Sequence, residues 1–100
     1  MITVEGKFVH GVPMGKGVKR ATDFTLRAGT VRDSVEALEE CGPDASPSRL
    51  RYATLARRLT VSGVEQITTD VVMDLTDRDG VVLENTSDEL EKKLDDLKID

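Results

Sequence analysis

The sequence predicts an α+β domain in which an N-terminal antiparallel β-hairpin packs against three or four α-helices. Three observations carry this. The segments "MITVEGKFVHG" and "KRATDFTLRA" are rich in β-branched and aromatic residues, and in the second Phe24 and Leu26 alternate with Asp23, Thr25 and Arg27, the period of a strand with one buried face. Between them "GVPMGKG" is loop chemistry, with three glycines and a proline. From Thr30 onward the apolar spacing changes to three and four residues, and helix-start signals recur. One hundred residues make a single domain, with the hairpin over about residues 1–28 and the helical part over about residues 30–97. A lone hairpin is marginal in water, so its apolar face needs a helical cover.

The first helix is expected to open at Thr30, with Asp33 placed where a carboxylate favours the helix N-terminus. Val31, Val35 and Leu38 then fall at i, i+4 and i+7 as one apolar stripe, and "CGPD" ends the helix. Ser46 followed by Pro47 starts the second. Its Leu50, Ala53, Ala56 and Leu59 should face the core, its arginines Arg49, Arg51, Arg57 and Arg58 should stay wet, and "VSG" should close it. "VEQITT" reads equally as a short strand or a turn. Thr69 and Asp70 can open a short helix carrying Val72, Met73 and Leu75.

"LTDRDGVVLEN" poses a separate question, because alternating acids before a glycine resemble a calcium loop. With Gly80 at the sixth position, Asp77 and Asp79 fit, but Leu75 and Thr86 fall where an acid and a glutamate are required. The acids are better explained as helix-start acids behind an N-cap at Thr76. Leu83, Thr86, Leu90, Leu94 and Leu97 follow as one narrow seam, and Asp88–Lys92 and Glu89–Lys93 have the spacing of supporting ion pairs. The far end of this polar helix is expected to project and offer its seam.

Composition narrows the function classes. A third of the chain is charged, Trp is absent, and the core must be aliphatic. The single histidine, His10, lies near the glycine-rich turn, and the single cysteine, Cys41, precedes a helix stop. Neither has a partner in the sequence for nucleophilic catalysis or a zinc site, so no enzyme, metal or cofactor is expected. One cysteine suits a reducing compartment, and neither a secretory leader nor a membrane span is expected. Residues 1–60 hold 10 basic and 7 acidic side chains, and residues 61–100 hold 4 and 12. Nucleic acid would therefore have to meet the first half, where Arg49, Arg51, Arg57 and Arg58 provide the alternative reading of a small nucleic-acid-binding regulator.

Two stretches carry a family resemblance. One is Leu26-Arg27 followed by Thr30 and Asp33; the other runs through Arg58-Leu59, Gly63, Ile67-Thr68, Leu75, Asp79 and Leu83. Together they resemble the small tail assembly chaperones of Mu-like and related tailed phages. The resemblance implies a non-enzymatic protein of the bacterial host cytoplasm that binds the tape measure protein, or other tail proteins, before the tail tube polymerises. It also implies that a longer, frameshifted form can exist. Val72, Leu75, Leu83, Leu90 and Leu94 are then the expected apolar contacts, with self-association through the C-terminal helix as a further expectation.

Overall fold

The computed structural model describes residues 2–97. Its elements run β1 (Thr3–Val12), β2 (Ala21–Arg27), α1 (Val31–Cys41), α2 (Pro47–Arg58), β3 (Leu59–Val61), α3 (Thr69–Met73) and α4 (Asp77–Asp96). The hairpin is present as expected and gains a third strand, giving an antiparallel sheet of order β1-β2-β3. The chain is thus an α+β fold, with four helices and a three-stranded sheet among the described residues.

β3 corrects the expected end of the second helix. Leu59 continues the helical spacing, but α2 stops at Arg58 and Leu59 pairs with Leu26, Thr60 with Thr25 and Val61 with Phe24. The β-branched Thr60 and Val61 suit a pleated surface, and pairing with β2 satisfies backbone groups that a frayed helix end would leave open. "VEQITT" forms no strand, and α3 is capped by Thr68, one residue earlier than expected.

One face of the sheet is buried. Val4, Phe8, Val12, Phe24, Leu26 and Val61 meet Leu55, Ala56, Val72, Leu83 and Leu90 in one cluster. Phe8 and Phe24 stack with ring centroids 4.3 Å apart. Gly6, opposite Phe24, leaves room for that ring, because a Cβ there would come within 2.4 Å of Phe24 Cζ. The expected helix starts hold: Thr30, Ser46 and Thr76 each accept the N–H of the residue three positions on, and Gly42 closes α1 with its N–H on Leu38 O at 2.9 Å.

α4 runs antiparallel to β1. At its start the carboxylate of Asp79, fully buried, accepts the N–H groups of Val9 (2.6 Å), His10 (3.1 Å) and Gly11 (2.8 Å), where the β1–β2 register shifts. Near its other end Lys93 Nζ donates to Thr3 O at 3.3 Å. The helix is therefore tied to β1 along nearly its whole described length, and the expected projection shrinks to its last turn, where Leu97 is exposed. Asp79 is a helix-start acid, as expected, but its carboxylate serves the sheet. Burial alone would raise its pKa, yet the N–H groups of Gly11, Val9 and His10, with the nearby His10, outweigh this and hold it below the ordinary value.

Candidate functional site

α1 carries the stripe of Val31, Val35 and Leu38 picked out in the sequence. Its apolar stripe points outward: Val31 is 82%, Val35 47% and Leu38 52% exposed. The rotation of the helix is set by its opposite, acidic edge. Arg27 forms a two-pronged ion pair with Asp33, both bonds 2.8 Å, and the same guanidinium reaches Ala28 O and Arg57 O. Asp33 also accepts Thr30 N at 2.8 Å, completing a capping box. Further along, Arg57 holds Glu36 at 3.3 Å and Glu40 at 2.9 Å, and Thr69 Oγ1 donates to the other oxygen of Glu40 at 2.6 Å. Asp33, Glu36 and Glu40 recur at three and four residues, so they share a face. Only Asp33 and Ala37 of α1 are buried.

The contacts of the acidic edge act together. Turning α1 to bury its stripe would leave Arg27 and Asp33 without each other in a partly buried setting, at a cost of several kcal/mol, and would also break both Arg57 ion pairs and take Ala37 out of its buried site. Burying the three stripe side chains would return about 1.5–3 kcal/mol each, which this combined loss offsets. The Arg27 hydrogen bonds hold the Asp33 carboxyl far below the ordinary carboxylate range, against the opposing effect of burial and with help from Thr30. The result is a helix fixed by polar contacts on one side, with three neighbouring apolar side chains facing solvent on the other. Arg32 and Glu39 flank the stripe on one side and Ser34 on the other, all exposed.

The residues expected to meet a partner are divided. Val72, Leu83 and Leu90 lie in the core, so their side chains are occupied within the chain. Leu75 is half-buried and, with Val72, lines a cleft of about 160 Å³ between α2, α3 and the start of α4, together with Tyr52, Met73 and Gly80. Leu94 is half-buried at the far end of α4. The stripe of α1 is legible in the sequence but its direction is not, because periodicity reports that a helix has two faces without saying which one packs. The signal available was the matching set of Arg27 and Arg57 with the acids at 33, 36 and 40.

The arginines do not form one cationic face. Arg49 is exposed, Arg51 pairs with Glu84 on α4 at 2.8 Å, and Arg57 faces α1. Arg58, expected to stay wet, is only 8% exposed; its stem packs over Gly29 and its Nε donates to Arg27 O at 3.0 Å. Burial lowers its pKa, against the favourable charges of Glu91 and Asp33. Asp77 and Asp79 open α4, and among the described residues no group of His, Cys, Asp and Glu is arranged to hold a metal ion. His10 is exposed, with its ring Nδ1 2.9 Å from Thr76 Oγ1, and Cys41 is a half-buried free thiol. Among the described residues no helix is long and apolar enough to cross a membrane. Comparison with protein-family models, curated proteins and solved structures finds no match.

Proposed function

We propose that this chain is a non-catalytic phage tail assembly chaperone, which holds apolar helical segments of the tape measure protein until the tail tube encloses them. The observation that carries this reading is the outward stripe of Val31, Val35 and Leu38 on a helix locked by its opposite edge. The sequence resemblance supplies the identity of the partner. The stripe has the spacing of an anchor for an amphipathic helix. Each side chain, if fully covered, contributes about 1.5–3 kcal/mol, while association costs at least about 4 kcal/mol in lost freedom. One stripe therefore gives weak, reversible capture, and several copies along a long chain give useful coverage. Reversibility suits a chaperone that must yield to the tube.

The test is coexpression with a tape measure protein of a Mu-like tailed phage, followed by affinity capture. The tape measure protein is expected to stay soluble and to be retained by the native chain. Val35→Asp and Leu38→Asp should lose it while keeping the native circular dichroism and melting temperature. Failure of the native chain to retain it, or equal retention by both folded variants, overturns the proposal.

A further inference from the structure

The stripe of α1 has one edge whose charges the fold leaves unused. Of the charged side chains on this helix, Asp33 is held by Arg27, and Glu36 and Glu40 are held by Arg57. Arg32 and Glu39 are exposed, and among the described residues neither has a hydrogen-bond or ion-pair partner. At about 100° per residue, their separation of seven residues places them within about 20° of each other around the helix, on one side of Val31, Val35 and Leu38. Along the axis they are two turns, about 10 Å, apart, too far to pair within one chain. The other side of the stripe carries Ser34 and the half-buried Cys41, and so no charge. α1 lies at the margin of the fold, packed on α2, and its stripe faces solvent.

A base and an acid on one edge of an apolar stripe complement themselves when the helix is turned end for end. Two copies of a helix packed face to face about a perpendicular twofold axis run antiparallel, and each edge meets the same edge of its twin. With the axis between residues 35 and 36, Arg32 lies opposite Glu39 of the second copy, and Glu39 opposite its Arg32. The same register seats Leu38 of the second copy between Val31 and Val35, and sets the two Val35 side chains beside each other on the axis. A parallel pair would instead oppose Arg32 to Arg32 and Glu39 to Glu39, and charges on such edges decide orientation. Antiparallel packing also brings the positive end of each helix dipole to the negative end of the other.

We propose that two copies of this chain pair antiparallel through α1, covering both stripes and closing two Arg32–Glu39 ion pairs. The contact is isologous, so it closes on itself and assembly stops at the dimer. It joins two helices of 11 residues and belongs to the small, weak class of protein interfaces. The inference goes beyond the tape measure reading and stands without it. On the chain alone the second copy keeps the stripe covered, and any apolar helix that binds there must first displace it. It also differs from pairing of two C-terminal seams, because Leu83 and Leu90 of that seam are already in the core.

The test is sedimentation equilibrium of the chain alone, at concentrations up to roughly 1 mM and about 0.1 M salt, where the Debye length of about 10 Å spares contact pairs but damps the repulsion between whole chains. The native chain should form dimers and nothing larger. Arg32→Glu and Glu39→Arg each oppose like charges at both contacts, and each should weaken dimerisation about tenfold. Mixed in equal amounts, these two variants regain both ion pairs and should form a heterodimer as readily as the native chain dimerises. A chain carrying both substitutions keeps the native net charge and should also dimerise like the native chain. Val35→Asp, with native circular dichroism, should stay monomeric. A native chain that stays monomeric overturns the proposal and leaves the capture experiment untouched. Native-strength dimers in either single charge variant or in Val35→Asp overturn it too, as does a mixture or a doubly substituted chain in which dimers do not return.

Discussion

Replacing Asp79 by asparagine preserves the side chain's shape and tests what its charge does. The two carboxylate oxygens take three backbone N–H groups: Oδ1 faces Val9 N at 2.6 Å and Oδ2 faces Gly11 N at 2.8 Å, with His10 N 3.1 Å from Oδ2. The amide of asparagine puts a donor in one of those two places whichever way it turns. At least one hydrogen bond to a charged acceptor is lost, worth about 1.5–3 kcal/mol, and a buried N–H is left unmet at a cost of about 1–3 kcal/mol. The sum is about 2.5–6 kcal/mol, a large share of the roughly 5–15 kcal/mol that holds a domain together. At about 4–8 °C per kcal/mol for a domain of this size, thermal unfolding followed by circular dichroism should show Tm lower by roughly 10 °C or more. The pH dependence gives a second reading. A carboxyl whose folded pKa is depressed stabilises above its unfolded pKa, and that stability is lost as pH falls through the folded value. The gap between native and Asp79→Asn should therefore be constant above about pH 5 and narrow below about pH 4, the ordinary range of an aspartate. A Tm loss of only a few degrees, or a gap that does not change on acidification, refutes the reasoning.

Three further outcomes follow from the packing. Leu90→Ala, in a fully buried site, should cost about 2–5 kcal/mol in urea unfolding, whereas Val31→Ser on the exposed stripe should stay within about 0.5 kcal/mol; equal costs would mean that α1 is turned the other way. Gly6→Ala should cost about 1–3 kcal/mol, because its methyl group enters the space of the Phe24 ring, and near-ultraviolet circular dichroism should record the disturbed phenylalanine pair. Arg57→Met removes both ion pairs to α1. Amide hydrogen exchange should then quicken in residues 31–41 and change little in α4, while uniform acceleration would show that Arg57 supports the whole domain.

Local signals in the sequence were reliable where one residue acts on its neighbours. Thr30, Ser46 with Pro47, and Thr76 announce helix starts through bonds spanning three residues, and all three form. The hairpin was legible because alternation and glycine-rich turn chemistry are also local. What failed depends on partners far along the chain. Leu59 fits a helix by spacing and becomes a strand only because Leu26 lies beside it. Arg58 looks like one more surface arginine until Arg27 O and Gly29 are brought against it. The stripe of α1 is visible as a stripe, but its direction was decided by Arg27 and Arg57, outside the helix. The candidate surface therefore had to be read from the structure, although each of its residues had been picked out in the sequence.

The pairing of β1 with α4 has a consequence for how the domain can combine with anything else. Because Ala28 N bonds Ile2 O, the register assigns residues 2, 4 and 6 to the pairing with β2, and Thr3, Glu5, Lys7 and Val9 turn their backbone groups to the outer edge. Lys93 occupies that edge at Thr3 and Asp79 occupies it from Val9 onward. The short stretch between them carries the charged side chains of Glu5 and Lys7. An open strand edge is a template on which foreign chains can add by backbone bonding alone, without regard to sequence. Along β1 that route is shut at both ends, so on this margin of the sheet recognition is left to side chains. A domain able to sit beside sticky, half-assembled chains without being recruited into their sheets needs such a guarded margin.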